Sequence, residues 1–174
     1  ITLKIGKNCY VFGCGEFNSD RDDVHYINCA GERELLNVFF KMWDKECPDI
    51  VTGWNIDIFD IPYLVNRAKR LFDEKKNPYR LLSPWRKLRE YTMYGMGGRE
   101  LQTYEIYGVE TLDYLSTYRK FTAINQESYR LDHIAFVELG ERKLDYSEQG
   151  SLHLLYKNDF QKFIEYNIKD VELV

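Results

Sequence analysis

Apolar and polar residues alternate at the start of the chain, where Ile1, Leu3 and Ile5 are separated by Thr2 and Lys4. Residues 9–12 and 24–27 are rich in β-branched and aromatic types, and a polar break at 18–23 divides them. These three stretches predict short strands. The period then changes. Leu35, Leu36, Phe39, Phe40, Met42 and Trp43 recur at helical spacing within residues 30–46, and Pro48 stops the run. Residues 49–54 predict an apolar strand. A second helix over 62–72 is striped by Ile61, Leu64, Val65, Ala68, Leu71 and Phe72. Pro62 is tolerated only in a first turn, which sets Asp60 at or beside the N-cap. Residues 91–94 and 100–106 flank Gly95-Met96-Gly97-Gly98, the pattern of a β-hairpin. A strand over 109–112 runs into a short helix at 115–118. A helix follows at 128–137, with Leu131, Ile134 and Ala135 inward, and a long amphipathic one at 158–174. Strands alternating with helices at this spacing predict an α/β fold.

The chain is 174 residues long, a length for one domain, and 44% hydrophobic against 30% charged. That composition excludes a disordered chain. No apolar run approaches the roughly 18–20 residues of a membrane span, so no membrane partner is expected. Cys9, Cys14, Cys29 and Cys47 form no CxxC pair, and reduced thiols in a cytoplasmic protein are the expectation. The net charge of −4 is unevenly spread. Residues 67–90 hold nine basic side chains against three acidic ones, a local charge of +6 that leaves −10 elsewhere. A basic lobe beside an acidic body suits a protein that holds a polyanion and cations, and equally a solvated connector with no partner.

Two places could carry chemistry. Phe160, Phe163, Ile164, Ile168, Val171 and Val174 form the apolar stripe of the last helix. Tyr166 and Asp170 stack four apart at its margin, where a phenol and a carboxylate can serve a metal and its water or simply face solvent. Asn55, Phe59 and Asp60 lie where a strand ends and a helix begins, the point at which ligand groups gather in α/β sheets. Asp60 read alone is an ordinary N-cap.

Taken together, the NxxxFD segment (Asn55, Phe59, Asp60) and the YxxxD segment (Tyr166, Asp170) resemble the second and third motifs of proofreading 3′–5′ exonucleases of the DEDD type with a final Tyr. Thr52-Gly53-Trp54-Asn55, Phe59-Asp60-Ile61-Pro62-Tyr63, residues 128–135 (SYRLDHIA), Leu139-Gly140 and Lys143 are similar to the proofreading domain of family B DNA polymerases. Residues 93–100 and 112–121 are similar to the T-even-like phage members. The resemblance covers most of residues 34–174 in collinear order. It implies a ribonuclease-H-like mixed sheet flanked by helices, with an inserted hairpin, and hydrolysis of the 3′-terminal phosphodiester of DNA. It also implies two Mg²⁺ or Mn²⁺ ions, with Asp60 and Asp170 as ligands and Tyr166 orienting the attacking water. Hard cations take oxygen ligands, and a metal pair stabilises attacking and leaving oxygens alike. The same resemblance sets Lys143 near the scissile phosphate and Asn55 and Phe59 around the terminal nucleotide. It makes Arg99 a phosphate contact beside the hairpin tip, and Lys87 and Arg89 belong to the basic lobe that would hold the strand.

The family opens its domain with a DxE motif on the first strand, and none stands upstream of Asn55; Asp20-Arg21-Asp22-Asp23 lies in a polar break. Ile1 aligns with the second strand. The expectation is therefore a single partial exonuclease domain over 1–174, part of a longer polymerase chain, cytoplasmic in a host cell, with half its metal site and weak or no activity alone. Asp60 and Asp170 are expected within shared-metal distance. Strands flanking the missing one would have open edges and invite self-association. A non-catalytic single-strand-binding domain of the same fold is the alternative. A phosphate loop at residues 95–98 lacks the strand–helix context and a following Lys-Ser/Thr. His25, His133 and His153 are dispersed and suggest no metal site.

Overall fold

The computed structural model describes residues 1–94 and 98–174. It divides into two compact units, one of residues 1–35 and 126–174, the other of residues 36–125. The α/β class holds in both, and among the described residues the strands fall into three small sheets.

In the first unit, β1 (Thr2–Ile5) pairs antiparallel with β2 (Asn8–Gly13), which pairs in parallel with β3 (Val24–Asn28), giving the order β1-β2-β3. The alternation read in the sequence puts Cys9 and Val11 on the face where Ile164 and Ile168 pack, together with Phe17. Val24, Tyr26, Phe160 and Phe163 border that core. Burial of each such aliphatic side chain stabilises by about 1.5–3 kcal/mol. At the end of β2 the chain needs Gly13. A Cβ there would stand 2.6 Å from the Tyr26 hydroxyl and 3.2 Å from the Phe160 ring. The unit is completed by α4 (Leu131–Leu139), α5 (Leu152–Asn158) and α6 (Phe160–Glu172). The expected long helix from residue 158 is α6, and the unexpected α5 precedes it. Asp159 separates them, and its carboxylate accepts the Lys162 amide at 2.9 Å as the N-cap of α6.

α1 (Glu32–Glu46) carries Leu36, Phe39, Phe40 and Trp43 on its buried face. In the second unit, Trp43 donates its indole N–H to the Leu82 carbonyl at 2.9 Å. β4 (Ile50–Gly53) pairs in parallel with β7 (Glu110–Asp113), and β5 (Leu88–Tyr94) forms the expected hairpin with β6 (Glu100–Ile106). α2 (Asp60–Leu71) packs on β6, and α3 (Tyr114–Phe121) packs on β4 and β7. The basic connector before β5 is not featureless: it contains 3-10 turns at Glu74–Lys76 and Pro78–Leu82. Among the described residues, β1 is paired on one side only, as is β4. The four cysteines are free thiols. Among the described residues, no helix is long and apolar enough to cross a membrane.

Candidate functional site

The second unit holds Asn55, Phe59 and Asp60 on the turn between β4 and α2. The turn closes because Asn55 takes a left-handed conformation, φ 69°, which Asn tolerates better than most side chains. Its carbonyl then accepts the amides of Ile58 and Phe59, at 3.3 and 3.0 Å. Two outside contacts fix the turn. The Thr103 hydroxyl on β6 donates to the Asp57 carbonyl. The carboxylate of Asp113, 4% exposed at the end of β7, accepts the Asp57 amide at 3.3 Å and the Ser116 amide at 3.1 Å. It therefore caps α3 and ties the turn to β7 at once.

Asp60 is the first residue of α2 rather than its cap. Phe59 holds the N-cap position, with no side-chain cap bond, so the Asp60 carboxylate is not spent on the helix in the way its position suggested. Asp60 is exposed by surface area, yet its carboxyl is poorly hydrated. That loss of hydration pushes its pKa up to about 6, with its own amide opposing and Asp113 adding to the rise. Asp57 is raised as well, mainly by burial, with Asp113 contributing. Three carboxyl groups thus crowd the start of α2. The Phe59 ring is 64% exposed and lies nearly parallel to Tyr63, centroids 6.3 Å apart.

In the first unit the structure brings together Lys143, Tyr166 and Asp170. The Lys143 ammonium donates to Asp170 Oδ2 at 2.9 Å and to the Tyr166 hydroxyl at 3.4 Å. Tyr166 is buried, not marginal to the α6 stripe, and Tyr146 packs edge-on against its ring at 5.2 Å. Burial pushes the Asp170 carboxyl up, while Lys143 pulls it back. Burial likewise raises the Tyr166 phenol, and the negative charge of Asp170 adds to it. The other Asp170 oxygen, Oδ1, is buried with no hydrogen-bond partner. An unpartnered buried carboxylate oxygen is costly and is the donor that a hard cation takes. Asp60 and Asp170 therefore fit single-ligand roles. No group of three His, Cys, Asp or Glu residues stands at metal-binding spacing among the described residues.

The basic lobe is partly neutralised from within. Lys69 pairs with Glu90 at 3.0 Å, Arg86 with Asp44 at 2.9 Å, and Arg89 across the hairpin with Glu105 at 2.7 Å. Lys87 lies over the Tyr107 ring, and Arg99 is exposed at the start of the β6 side. Gly95, Met96 and Gly97, on which both the hairpin tip and the phosphate-loop alternative rest, lie outside the described residues. Sequence reasoning missed Asp113 and Tyr146. The first had a readable signal, an Asp three residues before Ser116 at a helix start; the second had none, since it sits in an irregular loop.

The family model for the exonuclease domain of family B DNA polymerases matches residues 5–134, which stops short of Lys143, Tyr166 and Asp170. The DNA-directed DNA polymerase of Escherichia phage RB69 is 41% identical over 151 residues, covering 86% of this chain and 16% of that protein. The DNA-directed DNA polymerase of Enterobacteria phage T4 is 37% identical over 153 residues, 88% of this chain and 16% of that protein. The DNA polymerase delta catalytic subunit of Caenorhabditis elegans is 28% identical over 174 residues, 96% of this chain and 15% of that protein. The chain spans only a small part of the length of these relatives.

Proposed function

Because the chain belongs to the exonuclease-domain family of family B DNA polymerases, we propose that it hydrolyses the 3′-terminal phosphodiester of DNA as the proofreading domain of a DNA-directed DNA polymerase. The observation that carries the reading is the group at α6: a buried phenol and a carboxylate with one unpartnered oxygen, both within hydrogen-bond reach of Lys143.

Mg²⁺ or Mn²⁺ would supply a nucleophile at neutral pH and neutralise charge on the scissile phosphate. By the family resemblance, Asp60 and Asp170 would each be a carboxylate ligand to such an ion. The raised Asp60 carboxyl favours this role, since a nearby cation reverses the penalty that poor hydration places on its charge. Tyr166, held by Tyr146, is a fixed donor and acceptor for orienting the attacking water. Burial is the largest single influence on Lys143 and opposes its charge. The hydrogen bond and charge of Asp170, together with Tyr166, more than offset it and keep the ammonium cationic at neutral pH. It would thus offer the developing phosphate charge a counter-charge. Phe59 and Tyr63 present open aromatic faces to a terminal base, and Asn55 shapes the turn beside them. Lys87, Arg89 and Arg99 would contact the strand's phosphates, Arg89 after leaving Glu105. The rest of a polymerase chain and a single-stranded primer end are the partners implied. The one-sided strands β1 and β4 are the edges at which a second copy would add a strand.

Incubation of the chain with a 3′-labelled single-stranded oligonucleotide tests the reading. Slow release of mononucleotide is expected with Mg²⁺ or Mn²⁺, lost with chelator and with Asp60→Ala or Asp170→Ala. The rate should be weak, because no fuller carboxylate cluster stands among the described residues. Retarded mobility of the oligonucleotide with no cleavage in either metal would reject catalysis and identify a single-strand-binding domain.

A further inference from the structure

Lys143 sits in an irregular stretch, residues 141–146, that follows α4. Nothing in the local backbone pattern fixes it, and a lysine loses about 1.5–2 kcal/mol of rotamer freedom when its head is held. Yet its ammonium is aimed at Asp170. The cause lies in the first turn of α4. Asp132 Oδ1 accepts the backbone amide of Lys143 at 2.9 Å, and Oδ2 accepts from the Arg142 guanidinium at 3.0 Å. Both bonds leave the helix that carries them, eleven and ten residues along the chain. The path between is set by Gly140, whose φ of 72° turns the chain back in the left-handed region and whose amide bonds to the Phe136 carbonyl. Arg142 then lies 3.9 Å from the Phe136 ring centroid, so its guanidinium is held by a ring and a carboxylate together. Glu141 pairs with Lys169, the residue beside Asp170 on α6.

We infer that Asp132 is a positioning residue that presents Lys143 to Asp170 by holding the Lys143 backbone amide. Its catalytic meaning rests on the reading proposed above; the structural clamp does not. An exposed Asp132–Arg142 ion pair alone contributes little, 39% and 54% of those side chains being open to water. The amide bond is the part that acts on Lys143, because it fixes the residue from which the side chain departs.

The test reads the contact and not turnover. The intact protein is treated with a limiting amine-acylating reagent, and the labelling of each lysine is followed by peptide mass spectrometry against exposed Lys157. Asp132→Ala should label Lys143 on the order of tenfold faster, the factor expected from one lost charge-assisted hydrogen bond. Asp132→Asn keeps an oxygen for the amide and should stay near the parent rate, as should Arg142→Ala. Unchanged Lys143 labelling in a folded Asp132→Ala protein overturns the inference, and so does an equal rise in Arg142→Ala. Should Asp132→Ala fail to fold, hydrogen exchange in the unsubstituted protein decides. A slowed Lys143 amide supports the clamp, and one exchanging at the free-peptide rate overturns it. A chain that degrades no DNA but shows Asp132-dependent labelling rejects the nuclease reading and supports the clamp.

Discussion

Asp57 accepts a hydrogen bond from the Thr111 hydroxyl, and burial still pushes its carboxyl above the usual range, with Asp113 and Glu110 adding their charge. A carboxyl whose pKa is raised on folding binds its proton more tightly in the folded state. Its contribution to stability is full below the unfolded value of about 3.9 and is lost as pH rises through the folded value. Asp57→Asn keeps an acceptor for Thr111 and never carries the charge. Urea melts at pH 3.5 and pH 7 should therefore show the variant more stable than the parent at pH 7, with the gain gone at the lower pH. A variant equally stable at pH 7 would mean that Asp57 is hydrated in the folded state. Asp113 raises the carboxyls of both Asp57 and Asp60. Under the function proposed above, the same repulsion that weakens the turn before α2 would favour a cation there, a trade of stability for function that active sites commonly make.

At the scale of elements, α6 does two jobs with two faces. Ile164 and Ile168 anchor it on β1 and β2, while Tyr166 and Asp170 turn toward Lys143. Ile168→Ala should cost about 2–5 kcal/mol, the range for a buried aliphatic truncation, and lower the urea midpoint with little change in slope. A loss below 1 kcal/mol would mean that the site collapses around the cavity. α2 and α6 were legible because their apolar residues keep a 3.6 period for three turns or more. α5 was not: Leu152, Leu154, Leu155 and Tyr156 crowd seven residues, too few to show a period. The Tyr166–Asp170 spacing was readable from the helix wheel, but its depth was not, because Tyr146 and Lys143 arrive from an irregular loop. Asp60 was read as lying at or beside the N-cap, and it stands beside it, as the first residue of α2. The left-handed Asn55 tightens the preceding turn and puts the cap position at Phe59.

For the whole molecule, charge location matters more than the net −4. Counted along the sequence, residues 67–90 carry +6, but Lys69, Arg86 and Arg89 each meet a carboxylate in the folded unit. Arg70, Lys75, Lys76, Arg80 and Lys87 remain at the exposed surface. A phosphate gains most from a cation that need not leave a carboxylate to meet it, and each one engaged releases counterions from the strand. For single-stranded nucleic acid the slope of log K against log salt is about −0.7 per phosphate neutralised. Binding of a fluorescent oligothymidine by this chain should therefore weaken steeply between 50 and 200 mM salt. If Lys87 contacts the strand, Lys87→Ala should flatten that slope by about 0.7. Arg89→Ala should flatten it less, since Arg89 must first leave Glu105, and Glu105→Gln should tighten binding by freeing it. Equal slopes for Lys87→Ala and the parent would remove Lys87 from the strand's path. A larger effect from Arg89 than from Lys87 would show that the cross-hairpin pair opens at no cost when DNA arrives.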